Sequence, residues 1–174
     1  LVSNKAGRRL PAEEYQACNK VTLPEGNGPT QIDHINVTRY GVFVMETKNM
    51  AGWIFGAENQ AQWTQTIYKR KSKFQNPIRQ NYKHIKTLES LLQISQSKLH
   101  TVIVFTGDST FKTPLPPCVC TLANFTDYIR SFRTLVLTEA EVVGICGKIE
   151  SGRLQDNAAT RDAHVENLWN RHRR

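Results

Sequence analysis

The sequence predicts an α/β domain, a mixed β-sheet flanked by helices, and three stretches carry that prediction. Ile32–Thr38 and Val42–Lys48 are strands rich in β-branched residues, joined by a tight turn around Arg39-Tyr40-Gly41. An amphipathic helix opens at Asn76-Pro77, and a continuous apolar strand, Thr101–Thr106, follows it. A strand reached through a crossover helix usually returns parallel to its sheet, so the antiparallel hairpin and this strand together make the sheet mixed.

The remaining elements follow in chain order. Residues 11–16 read as a short helical turn. Ala17–Leu23 reads as a strand, closed by the loop signal Pro24-Glu25-Gly26-Asn27-Gly28-Pro29. Ala51–Gly56 reads as a short strand, and Trp63 lies in another. Asn76 is a good N-cap, and Pro77 at the first helical position loses no hydrogen bond. Ile78, Tyr82, Ile85, Leu88, Leu91 and Leu92 then repeat at steps of three and four, which defines one apolar helix face. Pro114, Pro116 and Pro117 break the chain. Val119–Leu122 reads as a strand, and Asn124–Phe132, Glu139–Glu150 and Ala158–Arg171 read as helices.

Composition bounds the function. The 174 residues suffice for one domain with a core and are too few for two comfortable ones. With 39% hydrophobic and 22% charged residues the chain is globular rather than disordered. No apolar run approaches the roughly 18 residues of a membrane span. Leu1–Arg9 has no signal-peptide core, and the missing initiator Met suggests that upstream residues were removed. A net charge of +8 favours a polyanionic partner. The charge is concentrated in Tyr68-Lys69-Arg70-Lys71-Ser72-Lys73 and in Arg171-His172-Arg173-Arg174, the latter read as a solvated terminus. Cys18, Cys118, Cys120 and Cys146 match no zinc spacing and are too sparse for a disulfide framework, so they read as reduced thiols of a cytoplasmic protein.

The hairpin holds the chemistry. Asp33, Glu46 and Lys48 are charged residues in otherwise apolar strands, where ionised groups are costly unless paired or bound to metal. With a two-residue loop at Arg39-Tyr40, Thr38 faces Gly41 and Asp33 faces Glu46. Opposed residues share a face about 5 Å apart at Cβ, and Lys48, two residues on, lies on that face too. A four-residue loop keeps all three together, whereas a three-residue loop with Gly41 as a bulge separates Asp33 from Glu46. Two carboxylates this close repel unless a cation lies between them. Oxygen ligands suit Mg²⁺ or Mn²⁺, with the Thr47 carbonyl and waters completing the shell. Such an ion activates water and polarises a phosphoryl oxygen, and Lys48 positions the attacking water or neutralises transition-state charge. From spacing alone, a salt-bridge cluster without chemistry accounts for the same residues.

Thr30-Gln31-Ile32-Asp33-His34, then Gly41-Val42-Phe43-Val44-Met45-Glu46-Thr47-Lys48-Asn49, then Gly52, and later Asn76-Pro77-Ile78-Arg79-Gln80-Asn81 resemble the NERD (nuclease-related) domain, a family of the PD-(D/E)xK nuclease superfamily. The likeness runs over residues 17–106. It implies a restriction-endonuclease-like core with the active site on the hairpin, Asp33 and Glu46 as metal ligands, Lys48 as catalytic lysine and Gln80 as an accessory. Family members usually carry a Gly-Glu pair in an N-terminal helix, its Glu a further candidate ligand. This chain shows no such pair: Glu13 and Glu14 lie too close to the first strand. Either the segment precedes Leu1 or this member lacks it.

Other residues are read more plainly. His34 points to the face opposite Asp33 and reads as hydrogen-bonded or packed, and His84 and His100 read as structural. Lys69, Arg70, Lys71 and Lys73 are placed in a loop before the helix as candidate phosphate contacts, with a solvated loop as the plain alternative. Trp53, Phe55 and Trp63 suit stacking on unpaired bases, but core is the favoured reading. The sequence thus predicts a nuclease core over residues 1–135, its N-terminal helix missing, and a C-terminal helical extension over 136–174 packed on the same domain. The predicted function is metal-dependent hydrolysis of DNA, with RNA left open, no membrane partner, and a homodimer and a further domain in a longer chain both open. The rivals are a nucleic-acid-binding module with this fold but without robust catalysis, and a regulatory domain whose charged cluster is a salt bridge.

Overall fold

A computed structural model describes residue 2, residues 16–24 and residues 28–154. The expected helices at 11–16 and 158–171, the acids Glu13 and Glu14, and the terminal cluster Arg171–Arg174 fall outside those residues, wholly or nearly so. The elements run β1 (Gln16–Leu23), β2 (Thr30–Thr38), β3 (Gly41–Lys48), β4 (Gly52–Phe55), β5 (Gln62–Ile67), β6 (Arg70–Gln75), α1 (Pro77–Leu92), β7 (Leu99–Phe105), β8 (Ser109–Phe111), β9 (Val119–Thr121), α2 (Phe125–Arg130) and α3 (Glu139–Gly152). A 3-10 turn, Gln96–Lys98, leads from α1 into β7.

Two mixed sheets result. The larger has the order β1-β2-β3-β7-β9, antiparallel through β3 and parallel from there. The smaller has the order β6-β5-β4-β8, antiparallel except where β8 joins β4. The parallel return of β7 beside β3 follows from the crossover through α1. The smaller sheet is larger than the sequence reading allowed: the basic cluster expected in a loop forms β6 and its turn. Polar residues alternating with Trp63 and Phe74 give that hairpin one buried and one wet face.

Alternation along β3 splits the core. Val42 and Val44 pack with Ile85, Leu88 and Leu92 of α1 and with Val142, Ile145 and Ile149 of α3. Phe43 and Met45 pack on the other face with Val102, Val104 and, from α2, Phe125 and Ile129. A third cluster joins the sheets: Ile54 and Trp63 close over Ile103, Phe105 and Val119, with the Trp63 and Phe105 rings stacked at 6.4 Å.

Helix α1 starts as its sequence requires, the Asn76 side chain accepting from the Ile78 N–H at 2.9 Å. Its buried face is Pro77, Asn81, His84, Ile85, Leu88 and Leu92. Tyr82, expected on that face, is 48% exposed, and the Lys86 ammonium lies 5.6 Å from its ring. The face is turned because the helix start lies over polar groups of β3, so Asn81 and His84 take positions that an apolar pattern does not mark. Trp53, read as core, is 52% exposed. Ile54 takes the inward position of β4, and alternation sends Trp53 outward.

No helix among the described residues is long and apolar enough to cross a membrane.

Candidate active site

The turn decides the site. Thr38 pairs with Gly41 and the ladder continues to His34–Met45, so the loop is the two residues Arg39-Tyr40. Gly41 has φ +128°, and a Cβ there would stand 2.5 Å from His100 Nε2 and 2.9 Å from the Lys98 carbonyl oxygen, so glycine is required. His100 packs under the turn as a structural residue, Nε2 3.2 Å from the Tyr40 carbonyl oxygen and the ring against Phe43. His34 is likewise hydrogen-bonded, its Nδ1 2.7 Å from Asn19 Oδ1.

One step beyond the last β2–β3 pair, Asp33 replaces backbone pairing with its side chain. Its Oδ2 accepts from the Thr47 N–H at 2.9 Å and from the Thr47 hydroxyl at 2.6 Å. Glu46 shares its sheet face with Val42 and Val44, beneath α1, and is buried. The Lys48 ammonium donates to Glu46 Oε1 at 2.7 Å and to Gln80 Oε1 at 2.8 Å. Glu46, Lys48 and Gln80 thus meet at one point, whereas Asp33 is held by Thr47, the residue between Glu46 and Lys48, and not by Glu46.

His84, which the sequence marks as structural, also lies beside Glu46. One helical turn after Gln80, its Nε2 is 3.4 Å from Glu46 Oε2 and its Nδ1 is 3.2 Å from the Thr30 hydroxyl. That is an ion-pair distance to Glu46, longer than a well-formed hydrogen bond, and Nε2 has no other partner. The available signal was the i, i+4 spacing of Gln80 and His84, which puts both on one helix face. Asn81 adds a tie, donating from Nδ2 to the Val44 carbonyl oxygen at 2.8 Å. Burial pushes the Glu46 carboxyl up, but the His84 contact and then Lys48 outweigh it and hold the carboxyl below its usual range. Glu46 is an anion at neutral pH by this balance.

Asp33 and Glu46 offer hard carboxylate oxygens, and the main chain between Glu46 and Lys48 offers a carbonyl at Thr47. Among the described residues no group of three or more His, Cys, Asp or Glu is placed to hold a metal ion. Two carboxylates are donors of the kind Mg²⁺ takes, an ion that keeps several waters and shares its shell with substrate phosphates, whereas a closed structural zinc site needs four protein ligands.

A sequence model described as the nuclease-related domain matches residues 2–106. The chain belongs to that family. The PD-(D/E)xK nucleases are its general kind, and two mixed sheets flanked by helices are consistent with the restriction-endonuclease-like fold. The chain is also 48% identical over 93 residues to an uncharacterized protein of Bacillus anthracis, a match covering 53% of this chain and 44% of that protein. The chain therefore spans under half the length of that curated relative. No solved structure matches it. Within this nuclease-related domain the Asp33, Glu46 and Lys48 hairpin and the Gln80 helix lie inside the matched residues, whereas α2 and α3 lie beyond them.

The four basic residues Lys69, Arg70, Lys71 and Lys73 are not at this point. They form the end of the β5–β6 hairpin in the smaller sheet, with Tyr68 at its tip 98% exposed. The four cysteines are thiols. Burial pushes Cys118 up to about 11 and Cys120 up to about 12.

Proposed function

We propose that this chain is a metal-dependent nuclease that hydrolyses DNA phosphodiester bonds at the Asp33, Glu46 and Lys48 site. The observation that carries the reading is the Lys48 ammonium, held at 2.7 Å by Glu46 and at 2.8 Å by Gln80 at the end of a strand pair carrying two carboxylates. Mg²⁺ or Mn²⁺, held by Asp33, Glu46 and the Thr47 carbonyl, would supply charge neutralisation and water activation.

The protein's own groups account for the rest. Lys48 Nζ presents a positive charge, fixed in direction by two acceptors, to the phosphoryl oxygens where negative charge grows. Gln80 spends its carbonyl oxygen on Lys48, leaving its amide N–H groups for a phosphate or water. Asp33 is held by Thr47 through two hydrogen bonds, so its other oxygen keeps a constant direction. His84 and Thr30 brace Glu46 from the side away from Lys48. In the reaction water attacks phosphorus and gives up a proton to solvent, the bond to the leaving oxygen breaks, and that oxygen takes a proton from solvent, so that protons balance. Lys69, Arg70, Lys71 and Lys73 would add salt-dependent contacts to the polymer's phosphates.

The test is cleavage of supercoiled plasmid and of a labelled single strand with Mg²⁺, Mn²⁺ or EDTA, comparing the chain with Lys48→Ala. Metal-dependent cutting that the substitution abolishes is the expected result. A folded protein that binds DNA and cuts nothing is instead the binding module of the same fold. That second reading is favoured by the Glu46 carboxylate, whose two oxygens already face Lys48 and His84.

A further inference from the structure

Strand register sorts the side chains of the smaller sheet into two faces. Ile54, Trp63 and Phe74 face inward, against Ile103 and Phe105. Those two residues pair with Glu46 and Lys48 in the larger sheet, so the smaller sheet is packed beside the active site. Its outward face is a grid. Lys71 pairs with Thr66, Thr66 with Trp53 and Trp53 with Thr110. In the next row Lys73 pairs with Thr64 and Thr64 with Phe55, and Lys112 continues the row where its N–H meets the Ile54 carbonyl oxygen at 2.8 Å.

This face carries three lysines and an exposed aromatic ring. Lys71, Lys73 and Lys112 are exposed, Trp53 is 52% exposed, and the Lys112 ammonium lies 4.5 Å from the Trp53 ring centroid. The four strands, Gly52–Phe55, Gln62–Ile67, Arg70–Gln75 and Ser109–Phe111, contain no Asp or Glu. Lys71 and Lys73 are about 6.7 Å apart along β6, from the strand rise of two residues. The hairpin's other basic residues do not share the face, since Arg70 alternates inward with Ser72 and Lys69 is in the turn.

We propose that this outward face binds single-stranded DNA, one base stacking on Trp53 while Lys71, Lys73 and Lys112 meet the neighbouring phosphates. The proposal deepens the nuclease reading and rests on it for the choice of polymer. A duplex hides the faces of its bases, so an exposed ring with a lysine over it, on strands that themselves carry no acids, suits an unpaired strand. A stacked base takes the place of the Lys112 ammonium over the indole, and that ammonium moves to the phosphate beside it. The sheet is tied to the active site at both ends: three residues lie between Lys48 and β4, and Asn76 alone lies between β6 and the helix bearing Gln80.

The experiment is anisotropy of labelled oligothymidylate with the full chain in EDTA, across a salt series, with folding checked by circular dichroism. Trp53→Ala is expected to weaken binding about tenfold, and Trp53→Phe to restore most of it. Replacing Lys71 and Lys73 together by Ala is expected to lower the slope of log affinity against log salt by about 1.4, about 0.7 for each phosphate that a lysine no longer neutralises. The proposal is overturned by affinity unchanged in Trp53→Ala, by a duplex binding as tightly as the single strand, or by preference for oligouridylate. A chain that binds through Trp53 and cuts nothing loses the nuclease reading and keeps this one. A chain that cuts while Trp53→Ala leaves binding unchanged does the reverse.

Discussion

His84 Nε2 lies 3.4 Å from Glu46 Oε2, and the two side chains are each 6% exposed. A carboxylate this deep needs compensation on both oxygens, and it draws one partner from its own strand and one from α1. The pair therefore couples the helix to the hairpin: α1 cannot shift along the sheet without uncovering a buried charge.

Replacing His84 by Ala leaves Glu46 Oε2 buried with no partner of its own, a loss of about 1–3 kcal/mol. The pH dependence is signed. The Glu46 carboxyl is held below its usual range in the folded state, so its stabilisation is complete above the unfolded value and is lost as pH falls through the folded one. Removing the His84 contact lets burial raise that carboxyl. The deficit of His84→Ala should be largest near neutral pH and narrow below the ordinary Glu value of 4.5. Urea unfolding of both proteins at several pH values checks this, and a deficit constant with pH would contradict it.

Thr47 tests the other carboxylate. Thr47→Val removes the 2.6 Å hydroxyl bond to Asp33 and keeps the backbone N–H bond at 2.9 Å. Stability should fall by about 0.5–1.5 kcal/mol, and any metal-stimulated cutting should fall with unchanged DNA binding. Denaturation and binding measured side by side distinguish this from general unfolding.

Two glycines should respond in opposite directions. At Gly41 a Cβ meets the His100 ring at 2.5 Å and φ is +128°, so Gly41→Ala should cost more than about 1–3 kcal/mol and disturb the hairpin register. At Gly144, within α3, a Cβ meets nothing within 4 Å, and Gly144→Ala should stabilise by about 0.5–1 kcal/mol. Thermal melts of the two variants give the comparison, and a neutral Gly41→Ala would remove the steric account of the turn.

Thiol reactivity gives a test away from the site. Burial pushes Cys118 up to about 11 and Cys120 up to about 12, so neither carries appreciable thiolate at pH 8. Iodoacetamide followed by peptide mapping should leave both unmodified in the folded protein and label both in urea. Rapid native labelling of Cys120 would mean that β9 opens.

The sequence by itself determined the hairpin strands, the helix start at Asn76-Pro77, the buried parallel strand and the placing of Glu46 and Lys48 on one strand face. Each rests on local rules: alternation, capping chemistry and the cost of charge in an apolar strand. It left the turn open between two, three and four residues, because Gly41 suits a bulge as well as a pair. Tertiary structure chose the two-residue loop by placing His100 and Lys98 against Gly41, and with it the register of the hairpin. It also decided what a linear pattern cannot carry. His84 and Asn81 interrupt the apolar period of α1 because β3 offers them a carboxylate and a carbonyl from across the fold. The basic run became a strand because Trp63 and Phe74 gave it an inward face, and Trp53 turned to solvent because Ile54 took the buried place beside it. Partners 37 or more residues apart in sequence meet through packing, and packing is set by the whole chain at once.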